Sequence, residues 1–354
     1  MRYHILRWKY RSMLFMGLAC SLIYLLMITN LVDQDQVHQR IASLVGDVDI
    51  ALYKMRILMN STEHVEIKVR HCERHHIQHK IKLVIPSFDS NETLFIQHGY
   101  NKIRDERFFS LLKLMETSGD NLGVIDDLLK MIPSTNKEDR FGNSCKRCII
   151  VGNSGILRGR RLGSVIDSYD VVMRMNNAPT SHFNLDVGTK TSFRFIFPES
   201  AFFDAREYNL DSDVVLVAHK RSDYEWLYAV LKKVPLQGGS FWKKVSTNFP
   251  KSPENVRLLH PHIPILARDH LHIPIRASMG IVTLVFALHY CDHVDIVGFG
   301  HDPNMPYHYY STRLVKKSPM IYGHNWDTEI TYLKRLLTAG VIGNDLTGFI
   351  KRDN

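Results

Sequence analysis

The chain has 354 residues, of which 45% are hydrophobic and 23% charged, and its net charge is +9. That length allows about two domains and a full-sized core, and the balance excludes a disordered, collagen-like or multi-span membrane chain. Arg2, Arg7, Lys9 and Arg11 supply +4 of the charge, so the rest carries only +5, weak grounds for nucleic-acid binding.

Residues 1–11 read as a cytosolic tail. Ser12 to Val32, SMLFMGLACSLIYLLMITNLV, holds 21 residues and no charge. About 20 apolar residues cross a bilayer core, so residues 12–32 predict a transmembrane signal-anchor. The basic run precedes the span, and Asp33 and Asp35 follow it. The positive-inside rule then puts everything after Val32 in the lumen, in type II orientation. The span is longer than the apolar core of a cleaved signal peptide, and no clear small-x-small site follows it.

Cys20 lies in the span, and Cys72, Cys145, Cys148 and Cys291 follow it. Four cysteines in an oxidising compartment predict two disulfides, with three pairings open. Zinc is the rival reading of Cys145-x-x-Cys148, but no second close pair of ligands accompanies it. Two sequons, at Asn60 and Asn91, are candidate glycosylation sites.

Residues 33–100 are polar and His-rich and read as a lumenal stem. The cluster His71, His75, His76 and His79 is read as solvated rather than metal-binding. Residues 101–354 alternate strand and helix patterns, which predicts one α/β domain with a mostly parallel sheet. Strands are expected at 147–151, 170–175, 192–197, 214–218, 256–259 and 294–298, and helices at 224–232, 280–289 and 328–337. Polar segments follow three strands: GNSG from Gly152, RMNNAP from Arg174 and GFGHD from Gly298. Ligands of open α/β sheets sit beyond the carboxyl ends of the strands, so these segments should converge on one cleft.

The run from Cys145 to Phe197, CKRCIIVGNSGILRGRRLGSVIDSYDVVMRMNNAPTSHFNLDVGTKTSFRFIF, resembles the long sialylmotif of animal-type sialyltransferases. SMGIVTLVFALHYCDHVDIVGFG from Ser278 is similar to the short sialylmotif. His308-Tyr309-Tyr310 resembles motif III, and His324-Asn325-Trp326-Asp327-Thr328-Glu329 the very short H-x4-E motif. The four stand in family order. Phe197-Pro198-Glu199-Ser200, Phe241-Trp242-Lys243-Lys244 and Asp345-Leu346-Thr347 look like the β-galactoside α-2,3 branch.

The resemblance implies a single Rossmann-like, mostly parallel twisted sheet flanked by helices, the sialyltransferase variant of the GT-A type. It implies inverting transfer of sialic acid from CMP-N-acetylneuraminic acid to the 3-OH of terminal β-galactose on glycoproteins or glycolipids. Such transfer needs a base for the acceptor hydroxyl and a partner for the departing phosphate, and histidine suits the first. By resemblance His324 is the base, Glu329 its supporting carboxylate, and His308 the phosphate partner, with Tyr309 or Tyr310 assisting. Asn153, Ser154, Asn176, Ser278, Gly280 and Gly300 would hold the donor, and Trp242 would cover its phosphate. The family pairing is Cys148 with Cys291, and Cys72 with Cys145 accompanies it. No cofactor or metal is expected, no nucleic acid, and a Golgi membrane location; a homodimer is left open.

The chain departs from the family in places. Ala277-Ser278-Met279-Gly280 stands where Pro-Ser/Thr-Thr-Gly is common, Ile156 where some members have Asn, and Ser311 where many have an acid or aromatic. Asp211-Ser212-Asp213 matches the metal-binding D-x-D string, but it precedes a strand and reads as a solvated turn. The competing readings are transfer to GalNAc or to sialic acid, and a catalytically weak lumenal glycan-binding homologue. A dinucleotide-dependent dehydrogenase fits poorly, because the glycine spacing is wrong.

Overall fold

Short runs of valine, isoleucine and phenylalanine bounded by turn residues build the sheet. The strands are β1 (Arg147–Val151), β2 (Val171–Met175), β3 (Phe193–Ile196), β4 (Asp213–Leu216), β5 (Val256–Leu258) and β6 (His293–Val297). They pair in the order β5-β4-β3-β2-β1-β6, every pair parallel. The structure, a computed structural model, describes residues 75–97, 122–132, 145–209, 211–272, 276–314, 320–321 and 324–351. The chain divides into units Met1–Glu66 and Ile67–Asn354, and every described residue lies in the second.

Side chains alternate across a strand, so a two-faced core follows from the sequence. Cys148 and Ile150 of β1 join Met173, Phe195 and Ile296 on one face. Ile149 and Val151 join Val172 and Val297 on the other. Helices cover both faces, as an all-parallel sheet requires. The first face packs against α1 (His76–Ile81), α6 (His262–Leu271), α7 (Met279–Tyr290) and α8 (Trp326–Thr338). The second packs against α2 (Leu122–Met131) and α5 (Arg221–Lys232) near β4 and β5, and against α3 (Gly163–Asp167) and α4 (Asn184–Val187) near β1 and β2. α7 is apolar nearly all round and is almost wholly buried, the arrangement its composition predicts. Cys148 and Cys291 form a disulfide that ties β1 to the end of α7, with Cα atoms 6.2 Å apart.

Three sequence expectations change. Residues 75–97 were expected in the stem, yet Ile77, Ile81, Ile85, Phe88 and Phe95 are part of the core. His76 stacks on His293 at 4.3 Å, while His75 and His79 are exposed. α1 to α4 and α6 were not expected. In α6 the prolines at 261 and 264 hide the pattern, but both fall at or before the first turn, where proline is tolerated. The D-x-D string is not a solvated turn: Asp213 opens β4, is 2% exposed and pairs with Arg257 at 3.2 Å. Asn91 is exposed in a turn.

Cys145 is also disulfide-bonded. Its expected partner Cys72, the span 12–32 and Asn60 lie outside the described residues. Among the described residues, no helix is long and apolar enough to cross a membrane.

Candidate functional site

The chain leaves β1 for β2 on one side, while β6 flanks β1 on the other. The carboxyl ends of β1 and β6 therefore form the switch point where open α/β sheets bind ligands. Gly152 and Gly298 meet there. The Gly152 N–H donates to the Val297 carbonyl at 2.7 Å, and the Ser154 N–H to Gly298 at 3.2 Å. A Cβ on Gly152 would lie 2.2 Å from the Gly298 oxygen, so only glycine permits this approach. Gly300 has φ +95°, and the space a Cβ would take holds the Phe349 ring.

The loop carrying His308 lies on this junction. Ser154 and His308 form an antiparallel bridge, and the Tyr309 N–H donates to the Asn153 carbonyl at 2.9 Å. Asn153 and Asn176 end β1 and β2, and the side-chain oxygen of each is buried with no hydrogen-bond partner among the described residues. Asn176 has φ +57°, a left-handed conformation that marks functional loops. Burial holds the His308 imidazole neutral, its pKa pushed down to about 4. An anion beside it would favour the charged form. Tyr309 is 1% exposed, and its hydroxyl donates to the Pro179 carbonyl at 2.7 Å. Ser154 Oγ accepts the Ile156 N–H at 3.3 Å, so it caps the turn that follows.

His324 is held by β8 (His324–Asn325), which pairs with β7 (Met320–Ile321). Its Nδ1 lies 3.3 Å from the Arg276 carbonyl. A carbonyl only accepts, so this bond puts the proton on Nδ1 and leaves Nε2 as a base. Asn325 then caps α8, its Oδ1 accepting the Thr328 N–H at 3.2 Å.

Glu329 is one turn into α8 and 4% exposed. Its Oε1 accepts the Ser278 N–H at 2.8 Å, and its Oε2 accepts the Ser278 hydroxyl at 2.7 Å. Ser278 in turn caps α7 through Ile281. Glu329 thus joins the short motif to the very short one. Burial raises its pKa, and the Ser278 bonds oppose that rise. Gly280 sits under Phe299, whose ring edge leaves 2.8 Å for a Cβ.

Aromatic rings connect the two histidine loops. His301 stacks on Tyr307 at 4.9 Å and meets Trp326 edgewise at 3.9 Å, while Tyr307 touches the His308 ring at 4.4 Å. Burial, and then the neighbouring His308, push the pKa of His301 down to about 4.

The β3–β4 end of the cleft carries the residues that sequence reasoning missed. Lys220 bridges Glu199 and Asp223, each at 2.9 Å. His219 lies half-buried beside them, its pKa lowered to about 4 by burial and then by Arg276, Lys220 and His324. Trp242 stands at this end, beside Glu199: its backbone N–H donates to Glu199 Oε1 at 3.4 Å, and the residue is 72% exposed. Only contacts between distant segments reveal this group, so no local motif announces it. Among the described residues, no cluster of three or more metal-ligating side chains occurs.

Comparison with known proteins fits this geometry. The family model described as Glycosyltransferase family 29 (sialyltransferase) matches residues 55–341. The chain is 34% identical over 301 residues to the CMP-N-acetylneuraminate-beta-1,4-galactoside alpha-2,3-sialyltransferase of Mus musculus, covering 80% of this chain and 79% of that one. It is 38% identical over 239 residues to the CMP-N-acetylneuraminate-beta-galactosamide-alpha-2,3-sialyltransferase 4 of Mus musculus, covering 63% and 72%. A crystal structure of a mammalian sialyltransferase in complex with Gal-beta-1-3GalNAc-ortho-nitrophenol superposes with a TM-score of 0.64 at 27% identity, covering 81% of this chain and 99% of that one.

Proposed function

The chain belongs to glycosyltransferase family 29, the sialyltransferases, and from that premise we propose that it transfers sialic acid from CMP-N-acetylneuraminic acid to the 3-OH of terminal β-galactose. The relatives named above are α-2,3-sialyltransferases of β-galactosides, which supports this linkage. The observation that carries the reading is His324, held with Nδ1 toward the Arg276 carbonyl at a motif boundary of the cleft.

In the reaction, Nε2 of His324 takes the proton of the acceptor 3-OH as its oxygen attacks the anomeric carbon of the sialyl group. The bond from that carbon to the phosphate breaks, the configuration inverts, and CMP leaves beside His308. Asn153 and Asn176, whose side-chain oxygens have no hydrogen-bond partner among the described residues, offer their amides to the nucleotide. Glu329 keeps Ser278 and α7 in register with the base. Trp242 stands at the end of the cleft suited to the acceptor. A monophosphate leaving group needs less neutralisation than a diphosphate, and the reaction is proposed to need no metal. The acceptors are galactose-terminated glycoproteins or glycolipids. The proposed location of the site is the Golgi lumen, on a type II signal-anchor at residues 12–32, which the basic run before that apolar stretch supports.

The test is transfer by the full-length protein, supplied with CMP-sialic acid in EDTA and offered N-acetyllactosamine, Galβ1,3GalNAc and lactosylceramide. The expected product is cleaved by an α-2,3-specific sialidase and is lost in His324→Ala. Product resistant to that sialidase would overturn the linkage, and its absence with every acceptor would overturn the activity.

A further inference from the structure

Arg174 and Arg194 are each 1% exposed and stand side by side in register on β2 and β3. Other arginines, such as Arg147 and Arg257, pair with carboxylates. Among the described residues, no carboxylate is bonded to either Arg174 or Arg194. Carbonyl and hydroxyl oxygens solvate them instead. Arg174 donates to Lys190 O at 3.0 Å, Thr191 Oγ1 at 3.1 Å and Val187 O at 2.7 Å. Arg194 donates to Asn176 O at 2.9 Å and Ala178 O at 3.1 Å. Burial, and then the charge of Arg174, lower the pKa of Arg194 to about 10, which leaves it charged at neutral pH.

Two adjacent buried cations with no carboxylate bonded to either are costly, since Asp167 and Glu207 act on them only at a distance, and apolar residues would pack a strand more cheaply. Their placement supplies a reason. The carbonyls held by Arg194 belong to the loop that carries Asn176, whose side-chain oxygen is buried without a hydrogen-bond partner among the described residues. Both guanidinium groups also act electrostatically on the Tyr309 hydroxyl, and Tyr309 adjoins His308. Arg194 therefore lies beneath the loop at the end of β2, and Arg174, bonded to the segment that enters β3, stands beside it in register.

We propose that Arg174 and Arg194 form a buried electrostatic anchor for the phosphate monoester of the bound nucleotide, their field acting across the Asn176 loop without either side chain touching the ligand. Charge fixed in a low-dielectric interior needs no reorganisation as the phosphate takes up the leaving-group charge. The arginines are positioning residues, and the inference rests on the nucleotide reading of the cleft given above.

Titration calorimetry of the full-length protein with CMP and with cytidine separates field from scaffold. A field acts on CMP alone, whereas a loosened loop weakens both ligands. Arg194→Gln is expected to weaken CMP about tenfold and cytidine less than about threefold. Arg194→Lys, which keeps the charge, should retain most of the preference for CMP over cytidine. Equal weakening of both ligands, or an unchanged preference in Arg194→Gln, overturns the proposal. If Arg194→Gln does not fold, Arg174→Gln is read by the same two titrations and the same criterion. Failure of the unaltered protein to bind CMP would instead overturn the nucleotide reading itself.

Discussion

Glu329 holds Ser278 by two bonds at once, accepting its backbone N–H at 2.8 Å and its hydroxyl at 2.7 Å. In a capping box, a glutamate three residues past the cap bonds back to it. Here that position is Ile281, and a carboxylate 51 residues away does the job. Ser278→Ala leaves Glu329 buried with one partner fewer and removes the cap of α7. It should cost about 2–3 kcal/mol in urea unfolding. In a double-mutant cycle with Glu329→Ala, the two losses should fall short of additivity by more than about 1 kcal/mol. Additive losses would separate the two roles.

His308 is neutral in the free protein because burial holds its pKa at about 4. A bound phosphate favours the imidazolium, so CMP binding should take up a proton. CMP affinity is expected to rise as pH falls from 8 toward 5.5. His308→Gln should flatten that rise, leaving only the titration of the phosphate. Identical pH profiles for the two proteins would remove His308 from the phosphate.

Gly152→Ala puts a methyl group 2.2 Å from a backbone oxygen, where no side chain moves aside to relieve it. The strand ends must part, at a cost of about 3 kcal/mol. A lowered urea midpoint together with weakened CMP binding is expected. A variant that keeps both would mean that the β1–β6 junction is not the nucleotide site.

His270 lies against Tyr332 with its Nδ1 3.1 Å from the phenol oxygen, and burial lowers its pKa to about 4. An unfolded histidine titrates near 6.5, so between these values the unfolded chain binds more protons and stability falls as pH falls. At pH 5 this one group costs about 2 kcal/mol relative to pH 8. His270→Gln should make the dependence of unfolding free energy on pH shallower between pH 7 and 5. An unchanged slope would place the acid sensitivity elsewhere.

The strands were legible because buried parallel strands are short, continuous apolar runs, and each expected run overlaps an observed one. α1 was not legible, because its two core residues, Ile77 and Ile81, lie one turn apart among histidines. His308, His324 and the two asparagines came from motif resemblance; the fold puts the asparagines on the loops after β1 and β2, His308 against the first of these, and His324 on β8. The partnership of Ser278 with Glu329 arises only when α7 and α8 pack together. That of His219 with Arg276 and His324 needs the end of β4 beside the segment that leads into α7. Arg174 and Arg194 looked like polar interruptions of a strand, and their register across two strands is what gives them meaning.

The strand order has a consequence for how the chain is made. β1 is the first strand synthesised, yet its second neighbour is β6, the last of the six. Cys148 must also wait for Cys291, 143 residues later. At ribosomal rates of about 5–20 residues per second, one edge of β1 stays open for roughly 7–30 s while β2 to β5 can already assemble against the other. An open apolar strand edge invites pairing with other chains. The nascent protein should therefore be most vulnerable to aggregation, and most dependent on holding chaperones, just before β6 emerges.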